Sequence, residues 1–103
     1  METFVKILLN EAKAPARKLA DAELHFRGGE LDGLKLVGFA IWRRRDRDGR
    51  DVTFPSREFT MDGRRRRYSL LRSTADPAAQ DRIRDQILEA FDAAHEGVGA
   101  QLR

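Results

Sequence analysis

The chain has 103 residues, a formal net charge of +3 and no cysteine. That length suits one domain able to bury about 65% of its unfolded surface, and the absence of cysteine excludes a disulfide framework and thiolate chemistry. No apolar run approaches the ~20 residues of a membrane span; "METFVKILLNEAK" carries an acid at Glu2 and no small-residue cleavage pattern, so it reads as a strand and the cytoplasm is the expected compartment.

Residues 3–9, "TFVKILL", are β-prone and open the chain as a strand. "EAKAP" interrupts it, because Pro15 discourages regular structure. In "LADAELHF" Ala20, Ala22, Leu24 and Phe26 alternate with Asp21, Glu23 and His25, the pattern of a half-buried strand. "RGGELDG" is turn chemistry. Residues 34–42, "LKLVGFAIW", are apolar on both parities: Leu34, Leu36, Ala40 and Trp42 on one, Val37, Phe39 and Ile41 on the other. Such a strand asks for cover on both faces.

Asp48-Gly49 signals a hairpin. "DVTFPSREF" is the next strand; its apolar parity switches around Pro55-Ser56, where a bulge or break is expected because proline donates no ladder hydrogen bond. Asp62-Gly63 makes the next hairpin turn, and "RRYSLLRS" returns. Asp76 is an N-cap with Pro77 at the first helical position. From there Ile83, Ile87, Phe91 and Ala94 form the apolar stripe of an amphipathic helix of about five turns. Its polar face is acidic, and "GVGAQLR" reads as a frayed tail. The expected fold is α+β: an antiparallel sheet of four to five strands followed by a C-terminal helix, one domain over residues 1–96 with a flexible tail over 97–103. One helix covers one face of a sheet, so the doubly apolar strand predicts a homodimer; the alternative cover is the N-terminal segment.

Charge is concentrated. Residues 43–72 hold eleven arginines against Asp46, Asp48, Asp51, Glu58 and Asp62, a balance of +6 that leaves −3 for the rest. Clustered arginine is an electrostatic footprint for phosphate. The arginine and alanine bias of a G+C-rich genome explains the same counts without a binding role. Trp42, before Arg43, Arg44 and Arg45, and Tyr68, after Arg64, Arg65, Arg66 and Arg67, are residues that stack on bases or simply close a core.

Catalysis finds little support. His25 and His95 are distant in sequence, one on a polar strand face and one near a helix end, where its charge suits the dipole. Ser56, Ser69 and Ser73 lack a neighbouring histidine and a nucleophile-elbow pattern. "RGGELDG" lacks the lysine and spacing of a phosphate loop. The expectation is no enzyme, no metal and no cofactor.

From Arg17 to Phe91 the chain resembles the stage V sporulation protein G (SpoVG) family of small bacterial regulators. The resemblance lies in "LADAELHF", "LDGLKLVGFAIWRR", "VTFPSREFTMDGRRRRYSLL" with its triplet Pro55-Ser56-Arg57, and "RIRDQILEAF", in that order. It implies an antiparallel sheet with a C-terminal helix, a dimer, and binding of DNA or RNA without catalysis. It assigns contact with nucleic acid to Arg57 and Arg64 to Arg67.

The expected function is therefore a dimeric nucleic-acid-binding regulator. Arg43, Arg44, Arg45, Arg47, Arg50, Arg57 and Arg64 to Arg67 would contact phosphate, and Trp42 or Tyr68 would stack. Two alternatives stand: a scaffolding module whose basic face binds an acidic partner, and a single-strand binder resembling the transcriptional coactivator positive cofactor four. Within the arginine run, Leu70 with Tyr68 is expected to face the helix. That would turn Arg65 and Arg67 toward the ligand.

Overall fold

The computed structural model describes residues 1–12, 14–46 and 48–101, with side chains as far as residue 95. Six strands precede one helix: β1 (Glu2–Leu9), β2 (Lys18–Arg27), β3 (Lys35–Arg43), β4 (Arg50–Thr53), β5 (Ser56–Met61), β6 (Arg64–Ser69) and α1 (Ala79–Gln101). The architecture is α+β. An antiparallel four-stranded sheet runs in the order β1-β2-β3-β4, and β5-β6 forms a separate two-stranded sheet.

That separation is the main difference from the expected single sheet. It arises where the sequence placed a break. β4 ends at Thr53 and β5 starts at Ser56. Pro55 between them has no N–H to continue a ladder, and its carbonyl accepts the Leu70 N–H at 2.8 Å, closing the base of the hairpin. Asp62 and Gly63, with φ of 52° and 74°, form the tight turn at its tip. This is the backbone that a two-residue hairpin loop of right-handed twist requires.

α1 lies on the inner face of the four-stranded sheet. Ala20, Ala22 and Leu24 of β2, Phe39 and Ile41 of β3, Val52 of β4, and Ile87 and Phe91 of α1 make the buried core. Ile83 and Leu88 pack beside them, as the helical stripe requires. Asp76 caps the helix: its Oδ1 accepts the Ala78 N–H at 3.0 Å. Both edges of the sheet are tied to α1. Gln86 Nε2 donates to the Thr3 carbonyl on β1 at 3.1 Å, and Arg50 of β4 pairs with Asp92. The helical backbone continues to Gln101, so the boundary expected after residue 96 is not a helix end; residues 102 and 103 lie outside the described residues.

The doubly apolar β3 has a specific cause. Along β2–β3 the pairs Ala22↔Phe39 and Leu24↔Leu36 leave one extra residue on β3, a β-bulge at Val37-Gly38. The bulge changes the phase, so Leu36 joins Phe39 and Ile41 on the core side. Gly38 has φ +107°, and a Cβ built there would stand 2.9 Å from the Pro55 Cβ. Only glycine fits both the angle and the approach. The outer parity is then Val37, 52% exposed, Ala40, buried, and Trp42, half-buried. The N-terminal segment does not cover this outer face, because β1 is an edge strand paired along its length to β2. Phe4 and Leu8 therefore stand exposed on it as well.

The β5–β6 hairpin contributes nothing between Ser56 and Ser69 to the core and packs chiefly on itself. It stands off the body as an arm. The molecule extends 54 × 38 × 23 Å, and its radius of gyration of 15.4 Å exceeds the ~13 Å of a compact domain of this length.

Candidate nucleic-acid interface

The expected site residues fall in two places. The first is the β3–β4 turn. Trp42 Nε1 donates to Thr53 Oγ1 across the strand pair at 3.0 Å, so its polar edge is already engaged. Arg43 is exposed, and its backbone N–H donates to the Arg17 carbonyl at 2.8 Å. Arg44 is half-buried with Nε 3.1 Å from Asp51 Oδ1. Arg45 is exposed. Arg50 is committed to the fold: it pairs with Asp92, and its guanidinium lies 5.4 Å from the Phe91 ring centroid. The same contact holds the Asp92 carboxyl below its ordinary value of 3.8, chiefly through the hydrogen bond from Arg50. Arg47 lies outside the described residues. Among the described residues of this group Arg43 and Arg45 are exposed, while Arg44 and Arg50 serve structure.

The second place is the arm. Its register pairs Arg57↔Tyr68, Phe59↔Arg66 and Met61↔Arg64 on one face, and Ser56↔Ser69, Glu58↔Arg67 and Thr60↔Arg65 on the other. Directly opposed residues share a face. The four consecutive arginines therefore divide, Arg64 and Arg66 to one side, Arg65 and Arg67 to the other. All four are exposed.

The division is opposite in consequence to the expected one. Leu70 is 59% exposed and Tyr68 is 40% exposed, whereas Leu71 packs against the core beside α1. The chain is fixed there by two donors to the Leu71 carbonyl, Ser69 Oγ at 2.9 Å and Gln80 Nε2 at 2.7 Å. So the residue that turns to the helix is Leu71 and not Leu70, and both arginine pairs stay exposed on the arm. Arg67 pairs with Glu58 at 2.7 Å, and with Ser56 it flanks a groove against the outer sheet face near Trp42 and Val37.

The other face of the arm holds Arg57, Arg64 and Arg66, with Arg72 entering at its base and no carboxylate among its described residues. Phe59 and Tyr68 stack on it, centroids 4.7 Å apart and planes 7° apart. The Arg72 guanidinium lies 5.9 Å from the Tyr68 ring. An open cleft of about 400 Å³ runs beside the rings, bounded by Arg57, Phe59, Tyr68, Leu70 and Arg72. Phe59 and Arg72 escaped the sequence reading. The signal was present in part: a two-residue loop at Asp62-Gly63 fixes the register, and that register makes Phe59 and Tyr68 diagonal neighbours.

The histidines have structural partners. His25 Nε2 lies 3.1 Å from Glu23 Oε1, and its ring stacks on Phe4 at 4.8 Å. Lys35 Nζ donates to the other Glu23 oxygen at 3.1 Å, and Lys35 first, then His25, lowers the Glu23 pKa. His95 stacks on Phe91 at 5.7 Å. Among the described residues no three His, Asp or Glu side chains gather as a metal site, and no helix is long and apolar enough to cross a membrane. Compared with protein-family models, with characterised proteins and with solved structures, the chain finds no significant match.

Proposed function

We propose that this protein binds DNA or RNA through the β5–β6 arm, without catalysis, as a cytoplasmic regulator of the SpoVG type. The observation that carries the reading is the charge of the arm. Residues 56–72 bring six arginines, Arg57, Arg64 to Arg67 and Arg72, against Glu58 and Asp62. They are mounted on a hairpin that the core does not need. A structural explanation of the run would place the arginines in ion pairs or over core residues, as it does for Arg50. On the arm only Arg67 has a carboxylate partner, Glu58, among the described residues. Unneutralised guanidinium groups on a projecting ribbon bind phosphate by releasing its counterions. Arg43 and Arg45 extend the basic surface to the body of the protein.

The protein acts as a homodimer in this reading. Leu8 (42% exposed) and Val37 (52% exposed), with Phe4 partly screened by His25 and Arg27, lie on the outer sheet face, which supports a second copy seated there. The decisive experiment is a fluorescence-anisotropy titration with labelled single-stranded DNA, single-stranded RNA and duplex DNA at low salt. Saturable binding to at least one of them is expected. Binding to none, with capture by an acidic polypeptide instead, would move the function to a protein-interaction module.

A further inference from the structure

The two faces of the arm differ in more than charge. One carries Arg65, Arg67 and Glu58, with small polar residues between them. The other carries four arginines around two parallel, stacked aromatic rings and an open cleft. Met61 and Tyr68 are each at least 40% exposed there, and Leu70, 59% exposed, stands at its base. Apolar and aromatic surface of this extent on a projecting ribbon is not fold-building, since neither Phe59 nor Tyr68 belongs to the core. Nor is it arranged for phosphate, which has no affinity for a ring face. Phosphate and a flat π-surface together are the two halves of one ligand, a nucleotide whose base is unpaired.

We infer that the Phe59–Tyr68 pair is a stacking platform for bases of single-stranded nucleic acid, with Arg57, Arg66 and Arg72 holding the phosphates on either side. The inference rests on the proposed nucleic-acid function and specifies its substrate class. The cleft bounded by Arg57, Tyr68, Leu70 and Arg72 opens beside the Tyr68 ring, and the Arg72 guanidinium, 5.9 Å from that ring's centroid, must swing aside for a base to stack, which brings it to the phosphate. Stacking uses the face common to every base, so it gives affinity with little sequence preference. A base within a duplex has both faces occupied and gains nothing from the platform. A two-stranded ribbon also fits the duplex major groove, but there it reads base edges, for which Phe59 and Tyr68 have no hydrogen-bonding use beyond one hydroxyl. Trp42 is not part of the platform. It lies on the sheet, its Nε1 engaged by Thr53, beside the groove that the opposite face of the arm flanks.

The test compares labelled oligothymidylate with an abasic oligomer of the same phosphate number, using the full chain at fixed low salt. Wild-type protein should bind the thymidylate on the order of tenfold more tightly than the abasic oligomer, the size expected for stacking. Tyr68→Ala should bring the two affinities together while leaving binding of the abasic oligomer unchanged. Tyr68→Phe should preserve the difference, because it keeps the ring, and Trp42→Phe should preserve it too. Equal wild-type affinity for the two oligomers would overturn the platform and leave phosphate binding by the arm intact. Failure to bind either would overturn both. A loss of self-association in Tyr68→Ala, with no change in the base-to-abasic ratio, would assign the rings to a second copy and likewise overturn the inference.

Discussion

The Leu71 carbonyl accepts from Ser69 Oγ and Gln80 Nε2, and its side chain packs in the core, so the phase of β6 is anchored at its C-terminal end. Strand alternation puts Arg64 and Arg66 on the Tyr68 face, and the anchor fixes where the base of that face meets the body. Arg64→Glu combined with Arg66→Glu should weaken binding of single-stranded nucleic acid by about tenfold or more at low salt, since each reversal removes one phosphate contact and adds a repulsive one. Arg65→Glu combined with Arg67→Glu should cost clearly less, because Glu58 already neutralises Arg67. Equal losses measured by anisotropy would mean diffuse charge rather than a facial site. Gly38 is the other residue on which much depends. Gly38→Ala forces a side chain into φ +107° and toward Pro55, and should lower the unfolding free energy by about 1–3 kcal/mol, read from the urea midpoint. An unchanged midpoint would show that the bulge relaxes at no cost.

Among the elements, α1 is held at both sheet edges, and one of those ties titrates. The Arg50 hydrogen bond keeps Asp92 below 3.8, and Arg82 with the Ala78 N–H does the same for the cap Asp76. A carboxylate whose folded pKa is depressed stabilises the fold above its unfolded pKa, and that contribution disappears as pH falls through the folded value. Stability should therefore fall on acidification below about pH 4, and Asp92→Asn should be less stable at neutral pH and less sensitive to acid. An identical acid profile in the variant, followed by thermal unfolding at several pH values, would refute the role of this pair. The arm makes the opposite prediction. Replacing residues 57–68 by a short Gly-Ser turn should leave the thermal midpoint within a few degrees of wild type and abolish binding; collapse of the fold would show that the arm is part of the domain core.

These same elements show what the sequence could convey. Local signals were legible: the alternation of Ala20 to Phe26, the turn at Asp62-Gly63, the break at Pro55, the cap at Asp76 and the stripe from Ile83 to Phe91 all have the positions that their chemistry implies, whereas the β3–β4 connection spans residues 44–49 and does not close as a two-residue turn at Asp48-Gly49. The bulge at Gly38 was hidden, because apolar residues on both parities look the same for a doubly buried strand and for a strand that changes phase. The facing of Leu71 was hidden too. A run of four arginines carries no parity, and the choice between Leu70 and Leu71 is made by α1, far away in sequence. Whether β5–β6 joins the main sheet is likewise a tertiary choice that no local pattern encodes.

At the scale of the whole molecule, charge and shape are polarised together. The arm is basic and stands away from the body, whereas α1 and its cap carry Asp76, Asp81, Asp85, Glu89 and Asp92 against Arg82 and Arg84. The acidic helix discourages phosphate from approaching that side and orients the protein on a polyanion. The uncovered outer sheet face predicts about twice the chain mass in sedimentation at micromolar concentration, and Phe4→Glu with Val37→Glu should give a monomer; a wild-type monomer would remove the second copy and leave the arm unaffected. The central claim, that the arm grips nucleic acid by its unneutralised arginines, is tested most directly by the salt dependence of single-strand affinity. With five arginines of residues 56–72 free of a carboxylate and roughly 0.7 counterions released per phosphate, the logarithm of affinity should fall linearly with the logarithm of salt, with a slope of about −3 to −4 per chain. The arm-replaced protein should show no measurable binding over the same range. Affinity independent of salt, or equal binding without the arm, would contradict the claim.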